Sequence, residues 1–486
     1  MAQEKHAKQT INVKQFGVKG DGVTDETLNL KKCINFCIKN KTTILFETGK
    51  YVVSGNLANE SETNEGELHI KCEGKVELIV DKNKLFKGSS LISLYHNNIT
   101  NSTITGGTLI IDLNNTCPVG ICIYAFGTKS GQKFQDFGGK LVWKTPITIK
   151  NAFAGVNTNG TAAGIQISGV FKHIFIQSPT IENVSRSTEF ANAKKSFESL
   201  DECKGISITN LKGYVLINNP IVINISTPND RDADGIAVFG FRENYNINDE
   251  AYKSLGTCKI NNAKILDAQG RCMKFQCSNV IVKSPYFFRK NLISITQGHD
   301  IDFQWGNGQV FNSVHEYQLN NGVSPIKSEN SFASIVFQNK LKDCNMKSFV
   351  GNATLKTDVK IAQFIYVVTG KKSKSWKLDL SGFQLKAPFK KNVLHRAFIE
   401  FSANEVNGIT SMETGSIASI SLKDINLCNT KYVVGYTGFN KSMETAKVFI
   451  NLQKIKIKYP QSSKMIYNLS GNEIMLGKNF KVNYKL

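Results

Sequence analysis

Seven short segments share one pattern, and that pattern limits the fold more than any other feature of the chain. Each reads apolar, any, apolar, two further residues, then small or apolar, any, apolar. The early copies are IFIQSPTI from Ile174, VLINNPIV from Val215, CKINNAKI from Cys258 and VIVKSPYF from Val280. The late copies are LDLSGFQL from Leu378, ISLKDINL from Ile420 and INLQKIKI from Ile450, and a degraded copy, IDFQWGNG, starts at Ile301. Alternation within each half is the mark of a strand, and a two-residue bend between halves makes a corner. The starts at 258, 280 and 301 lie 21 to 22 residues apart, and the earlier gaps of 41 and 43 read as about twice that. A corner repeated in this way, with few helical stretches between, predicts an all-β parallel β-helix in which each coil buries its apolar side chains on the next. A sandwich of short strands would alternate too, but has no reason to keep a period. The pattern weakens over 306–375, where a break or inserted loop is expected.

The front end reads FGVKGDGVTDETLNLKKCINFCI from Phe16 to Ile38. Its glycines suggest a phosphate loop, but the Gly-Lys-Ser/Thr ending is missing, and so is the alternating acidic pattern of a calcium loop. The residues instead predict a turn, an N-cap at Thr24 or Asp25, and a helix with Leu30, Ile34, Cys37 and Ile38 on one face. Such a helix would cover the apolar end of the first coil. A strand, a Thr-Gly turn and a second strand follow in TTILFETGKYVVSG, Thr42 to Gly55.

Together, VKQFGVKGDGVTDETLNLKKCINFC and TILFETGKYVVSG resemble the opening of the pectate-lyase-like superfamily of right-handed parallel β-helices. That group includes phage tailspike depolymerases, polygalacturonases and uronan epimerases. The resemblance is close over residues 11–55 and rests on repeat character beyond. It implies a right-handed solenoid with an N-terminal amphipathic capping helix and a polysaccharide substrate. For the tailspikes it also implies a homotrimer and a place in the virion, or outside the cell after lysis. The expected organisation is a flexible segment at 1–10, cap and first coil at 11–55, a central β-helix at 56–330 carrying the site, and a continuing β-rich region at 331–486.

A formal net charge of +21 favours an anionic partner. The basic runs KKSKSWK, Lys371 to Lys377, and FKKNVLHR, Phe389 to Arg396, come with no helix-turn-helix, RRM or zinc pattern, so nucleic acid is not the expected partner. Eleven scattered cysteines without a CxxC pair point to a reducing cytosol during folding and to no metal; no cofactor is implied. The first ten residues hold no apolar stretch, so no secretory leader is expected, and no membrane span is expected either.

Equivalent positions on successive coils lie about 5 Å apart, so chemistry is sought where polar residues gather at one place in the repeat. The densest place is Pro228 to Lys274. Asp230, Asp232 and Asp234 lead into a strand, an extra stretch from Phe241 to Leu255 carries Glu243, Asp249 and Glu250, and Asp267, Arg271 and Lys274 follow one coil later. The quieter segments AAGIQIS from Ala162 and KGISITN from Lys204 keep the Gly-apolar frame without the acids. DADG resembles the first polygalacturonase motif, which puts Asp234 in the aspartate place. DAQGRC departs from the second, with Arg271 near the position of an acid, and QGHD lacks the second glycine of the family's later Gly-His element. The expectation is hydrolysis, Asp234 pairing with Asp267 or Glu243 as acid and base or nucleophile. The alternative is a lyase in which Arg271 or Lys274 removes a proton α to a uronate carboxylate. A third reading is a non-catalytic, glycan-binding β-helix. Asp232, Phe241, Tyr245, His299 and Trp305 are the candidate substrate contacts, the aromatic ones as stacking surfaces.

Overall fold

In a computed structural model the described residues are all-β apart from one α-helix and a short 3-10 turn. The structure describes residues 9–58, 66–94, 99–125, 139–155, 161–169, 171–187, 202–228, 232–240, 256–291, 298–326, 332–338, 345–368, 375–387, 393–394, 396–402, 417–428, 430–437, 447–458, 466–468 and 480–485. Most of the expected N-terminal segment, residues 1–8, lies outside the described residues. The chain divides into two compact units, Met1–Ala237 and Val238–Leu486.

Unit 1 is a stack of coils joined by parallel pairing. Ala162–Gly169, His173–Gln177 and Pro179–Arg186 form one coil, and Cys203–Leu211, Tyr214–Asn218 and Ile221–Ile225 form the next. Ile165 pairs with Ile206, Ile174 with Val215 and Ile181 with Val222. The offset is 41 residues at all three places (206 − 165, 215 − 174 and 222 − 181). The 41-residue gap is therefore one coil with a long connection, not two short ones. The length of a loop adds little entropy cost, so coils of unequal length stack equally well. Ile165, Ile206, Ile174, Val215, Ile181 and Val222 are all buried, one above another.

The recurring Gly-apolar frame has a steric cause. A Cβ on Gly164 would sit 2.5 Å from Ile181 Cγ2, a side chain of another strand in the same coil. Each coil is thus thinnest where its branched side chains reach across.

The corners obey one backbone rule. The residue after the first strand of each repeat takes a left-handed conformation: Ser178, Asn219, Asn262, Ser284, Asp424 and Lys454 have φ of 48° to 54°, and Gly382 has 74°. A second corner in unit 1 is a ladder of amides. Asn151, Asn183 and Asn224 all have positive φ. Asn151 donates to Asp112 at 2.9 Å, Asn183 to Asn151 at 3.1 Å and Asn224 to Asn183 at 2.9 Å. Asparagine tolerates this conformation and bonds its neighbour one coil away.

The front end is a helix and a loop held by acids of the chain itself. The helix runs Thr27–Asn40 and buries Leu30, Cys33, Ile34 and Cys37 against strands Thr43–Phe46 and Gly66–Val80. Cys33 takes the place expected for Ile38, which is half-buried. The N-cap position falls at Glu26, two residues later than Thr24, although Asp25 Oδ1 does accept from Thr27 N at 3.1 Å. Buried Glu26 accepts from the backbone N–H groups of Lys19 and Gly20 at 2.8 and 3.3 Å. The loop that resembles an anion cradle holds a carboxylate from its own chain. Gly20 has φ of 71°, and a Cβ there would strike the Tyr51 ring at 2.9 Å.

In unit 2 the strand Met273–Lys283 pairs with Ile301–Phe311, and that strand pairs with Ala333–Gln338 and Asn345–Thr357. Cys258 pairs with Val280, the register that the repeat predicts. Ile301, however, pairs with Met273, and Val280 pairs with Gly308. The degraded copy at Ile301 is therefore not a turn of the same strand, because the coil between them is 28 residues long (308 − 280). Phe275, Phe303 and Phe337 stack in the core with centroids 5.5 and 5.0 Å apart.

Asn183→Ala is expected to cost about 1–2 kcal/mol, from two lost hydrogen bonds and a left-handed Ala, and Asn183→Gly is expected to cost less because only the hydrogen bonds go. Chemical denaturation of the two variants beside the wild type checks the order.

Candidate functional site

Three tetrapeptides, MKFQ from Met273, IDFQ from Ile301 and IVFQ from Ile335, lie side by side in unit 2. Their first and third residues are buried core. Side chains alternate along a strand, so Lys274, Asp302 and Val336 share the opposite face in one row. Gln276, Gln304 and Gln338 lie beside them. A shift of register between Phe275 and Gln276 sets Gln276 opposite Trp305, and Gln304 bonds both Gln276 and Asp302.

Asp302 is the hub of this face. It is completely buried. Oδ2 accepts from Gln304 Nε2 at 2.8 Å and Oδ1 from Gln338 Nε2 at 2.9 Å. Arg271 Nη1 lies 3.6 Å from Oδ2. Gln276 Nε2 donates to Gln304 Oε1 at 2.5 Å, which extends the chain of bonds by one coil. Lys274 Nζ stands over the Phe239 ring, 5.3 Å from its centre. Arg271 and Lys274, both expected from the sequence, are brought together here with Asp302, a carboxylate outside the expected set. The shared Phe-Gln ending of the three tetrapeptides was the signal that could have found it.

His299 adjoins this group. Its Nδ1 bonds the carbonyl of Ala333 at 3.1 Å, and its ring lies 6.1 Å from that of Phe332. A carbonyl only accepts, so the proton of the neutral ring is on Nδ1 and the lone pair on Nε2. Burial pushes the imidazole below its usual value; the Asp302 carboxylate opposes this and the Arg271 and Arg289 charges reinforce it. Trp305 is 5% exposed, which leaves it little surface for stacking on a sugar.

Asp267 stands at a corner. Its φ is 52°, and its carboxylate accepts from Lys290 N at 2.7 Å, Asn291 N at 3.0 Å and Asn291 Nδ2 at 2.9 Å. It caps a turn as asparagines do in unit 1, and that work engages both its oxygens. Glu243, Phe241 and Tyr245 lie outside the described residues, as do Asp230, Asp249 and Glu250. Among the described residues, no group of three or more His, Cys, Asp or Glu is placed to hold a metal ion.

Asp234 belongs to a second charged group, in unit 1. It is 0% exposed, and Lys204 Nζ lies 3.1 Å from Oδ2. The same ammonium lies 2.8 Å from Glu202 Oε2. Burial works against the Lys204 charge, but the carboxylates of Asp234, Glu202 and Asp232 outweigh it and hold the ammonium well above its usual value. Asp232 and Asp234 thus act together, on a lysine.

Residues 10–137 match the family model described as rhamnogalacturonase A/epimerase, pectate lyase-like. The match extends well past residue 55, where the sequence resemblance stops being close. No curated protein matches the chain. Among solved structures, the tailspike protein of E. coli bacteriophage HK620, a double mutant in complex with a pentasaccharide, is similar at a TM-score of 0.50 and 9% identity, covering 98% of this chain and 80% of that one. PfbA, a surface adhesin of Streptococcus pneumoniae, gives 0.44 and 12%, covering 93% and 91%. The A-module of the Azotobacter vinelandii mannuronan C-5 epimerase AlgE4 gives 0.37 and 11%, covering 97% and 100%. At such identities the tailspike likeness speaks to fold alone. Among the described residues, no helix is long and apolar enough to cross a membrane.

Lys204→Met is expected to cost about 3–5 kcal/mol, because it removes the ammonium that contacts both Glu202 and the buried Asp234. Adding Asp234→Asn is expected to recover part of that loss. Denaturation midpoints of the single and double variants test the pairing.

Proposed function

We propose that this protein cleaves an acidic polysaccharide at the face of unit 2 that carries Asp302, Arg271, Lys274 and His299. The observation that carries the reading is the hub: one buried carboxylate tied to Arg271 and two glutamines, with a second cation and a neutral imidazole beside it. The net charge of +21 supports an anionic polymer as the substrate. The family match over residues 10–137 supports a carbohydrate.

The groups suit β-elimination better than hydrolysis. Two cations, Arg271 and Lys274, flank one carboxylate. A uronate carboxylate placed between them is neutralised, which makes its α proton more acidic. Arg271, held by Asp302, offers a planar fork for that carboxylate. The C5 proton passes to His299 Nε2. Its electron pair forms the C4=C5 double bond, the C4–O bond breaks, and the departing oxygen takes a proton from solvent. Gln276, Gln304 and Gln338 supply donors and acceptors for neighbouring hydroxyls. Asp234 and Asp267 do not enter this step.

The same reading gives the coils the right hand of the pectate-lyase-like helices. It also makes the protein a homotrimer carried on a phage tail, as the sequence resemblance implies. A non-catalytic role in glycan binding is the competing outcome.

Incubation with uronate-containing polysaccharides is expected to raise absorbance near 235 nm as new reducing ends appear. His299→Ala and Arg271→Ala are each expected to lower kcat about 10²–10⁴-fold. Activity is expected to rise with pH through a value below 6.5, since His299 acts in its neutral form and burial holds it there. Reducing ends without the absorbance change would mean hydrolysis, and binding without either signal would mean no enzyme.

A further inference from the structure

Behind the proposed site lies a buried network that the elimination step does not use. Arg289 closes the strand Tyr286–Arg289 and is completely buried. Its Nε donates to Asp300 Oδ1 at 2.7 Å. Its other nitrogens all reach backbone carbonyls: Nη1 to Ala268 at 2.5 Å, and Nη2 to Gly270 at 3.1 Å and to His299 at 2.7 Å. Asp300 is braced in turn. Its Oδ2 accepts from Tyr317 OH at 2.6 Å and bonds His315 Nδ1 at 2.7 Å, and Cys272 Sγ lies 3.6 Å from Oδ1. Tyr317 OH and Ser334 Oγ are 2.6 Å apart, and His315 Nε2 and Ser313 Oγ 3.2 Å.

We propose that Arg289 is a positioning residue, whose guanidinium locks the turn presenting Arg271 to the segment presenting His299. This rests on the elimination site proposed above. Ala268 and Gly270 immediately precede Arg271, and the His299 carbonyl belongs to the base itself. One planar group spans both segments, and the Cys272 N–H adds a direct tie to the His299 carbonyl at 2.9 Å. Stability alone does not call for this arrangement. A buried ion pair is seldom worth more than apolar residues of equal volume, because desolvating two charges offsets their attraction. What the pair adds is direction, since three fixed N–H vectors fix three carbonyls. The charged groups that act on the His299 ring are Asp302, Arg271 and Arg289, so the clamp also sets the field in which the base works.

Two variants of the full chain test this. Arg289→Lys keeps the charge and loses the fork. Tyr317→Phe keeps both and removes one donor from Asp300. The readouts are kcat and KM on a uronate polysaccharide, and the His299 pKa from NMR of ¹³C-histidine-labelled protein without substrate. Arg289→Lys is expected to lower kcat about 10²-fold, the cost of a misplacement of about 1 Å, with KM changed little. The His299 pKa is expected to rise toward its ordinary value as the ring leaves its held position. Tyr317→Phe is expected to move both readouts in the same directions by less, and it decides the matter if Arg289→Lys does not fold. A loss of thermal stability with kcat and the His299 pKa unchanged would overturn the proposal. A wild type that cleaves nothing, together with a raised His299 pKa in Arg289→Lys, would refute the elimination reading and leave the positioning role standing.

Discussion

Parallel pairing of one coil on the next is the constraint from which the rest of each unit follows. Every strand must lie about 4.8 Å from its partner, so every corner must turn at the same place in every coil. Left-handed residues at the corners meet that demand, and side-chain amides such as Asn151, Asn183 and Asn224 bond along the stack. Connections between strands are free of it. Coil length therefore runs from 22 residues between Cys258 and Val280 to 44 between Ile121 and Ile165 (165 − 121) without disturbing the register.

The same constraint makes chemistry by rows. Residues far apart in sequence, such as Lys274 and Asp302, become direct neighbours because they occupy one column. The core side of that column is a stack of phenylalanines, so the polar side is backed by a rigid, water-free wall. Charges there interact through a medium far less polar than water, which strengthens their attraction and raises the cost of leaving one unpaired. Lys204 with its carboxylates in unit 1 and Asp302 with Arg271 in unit 2 are two results of this rule.

Much of the fold was legible in the sequence because alternation and corner residues are local signals. The Cys258–Val280 register and the buried face of the helix Thr27–Asn40 follow from such signals. Coil length was not legible, since a loop leaves no periodic trace, and two mistakes followed. The 41-residue coil was read as two, and Ile301 was aligned with Val280. The second mistake also hid Asp302, whose place beside Lys274 is visible only when IDFQ is set beside MKFQ. Arg271 and Lys274 were legible as candidates because charge stands out in an apolar repeat. Asp267 stood out for the same reason, yet its spacing gave no sign that it caps a corner, because aspartate and asparagine serve there alike. The network around Arg289 reaches from Ala268 to Ser334, 66 positions apart (334 − 268), and no local pattern announces it.

The central claim is that the row centred on Asp302 is where an acidic sugar is bound and cut. A crystal structure of His299→Ala soaked with a uronate oligosaccharide tests it most directly. The account predicts a uronate carboxylate within hydrogen-bonding distance of Arg271 or Lys274, with C5 facing the space left by the imidazole. An oligosaccharide seated elsewhere on the protein, with that row empty, would contradict it.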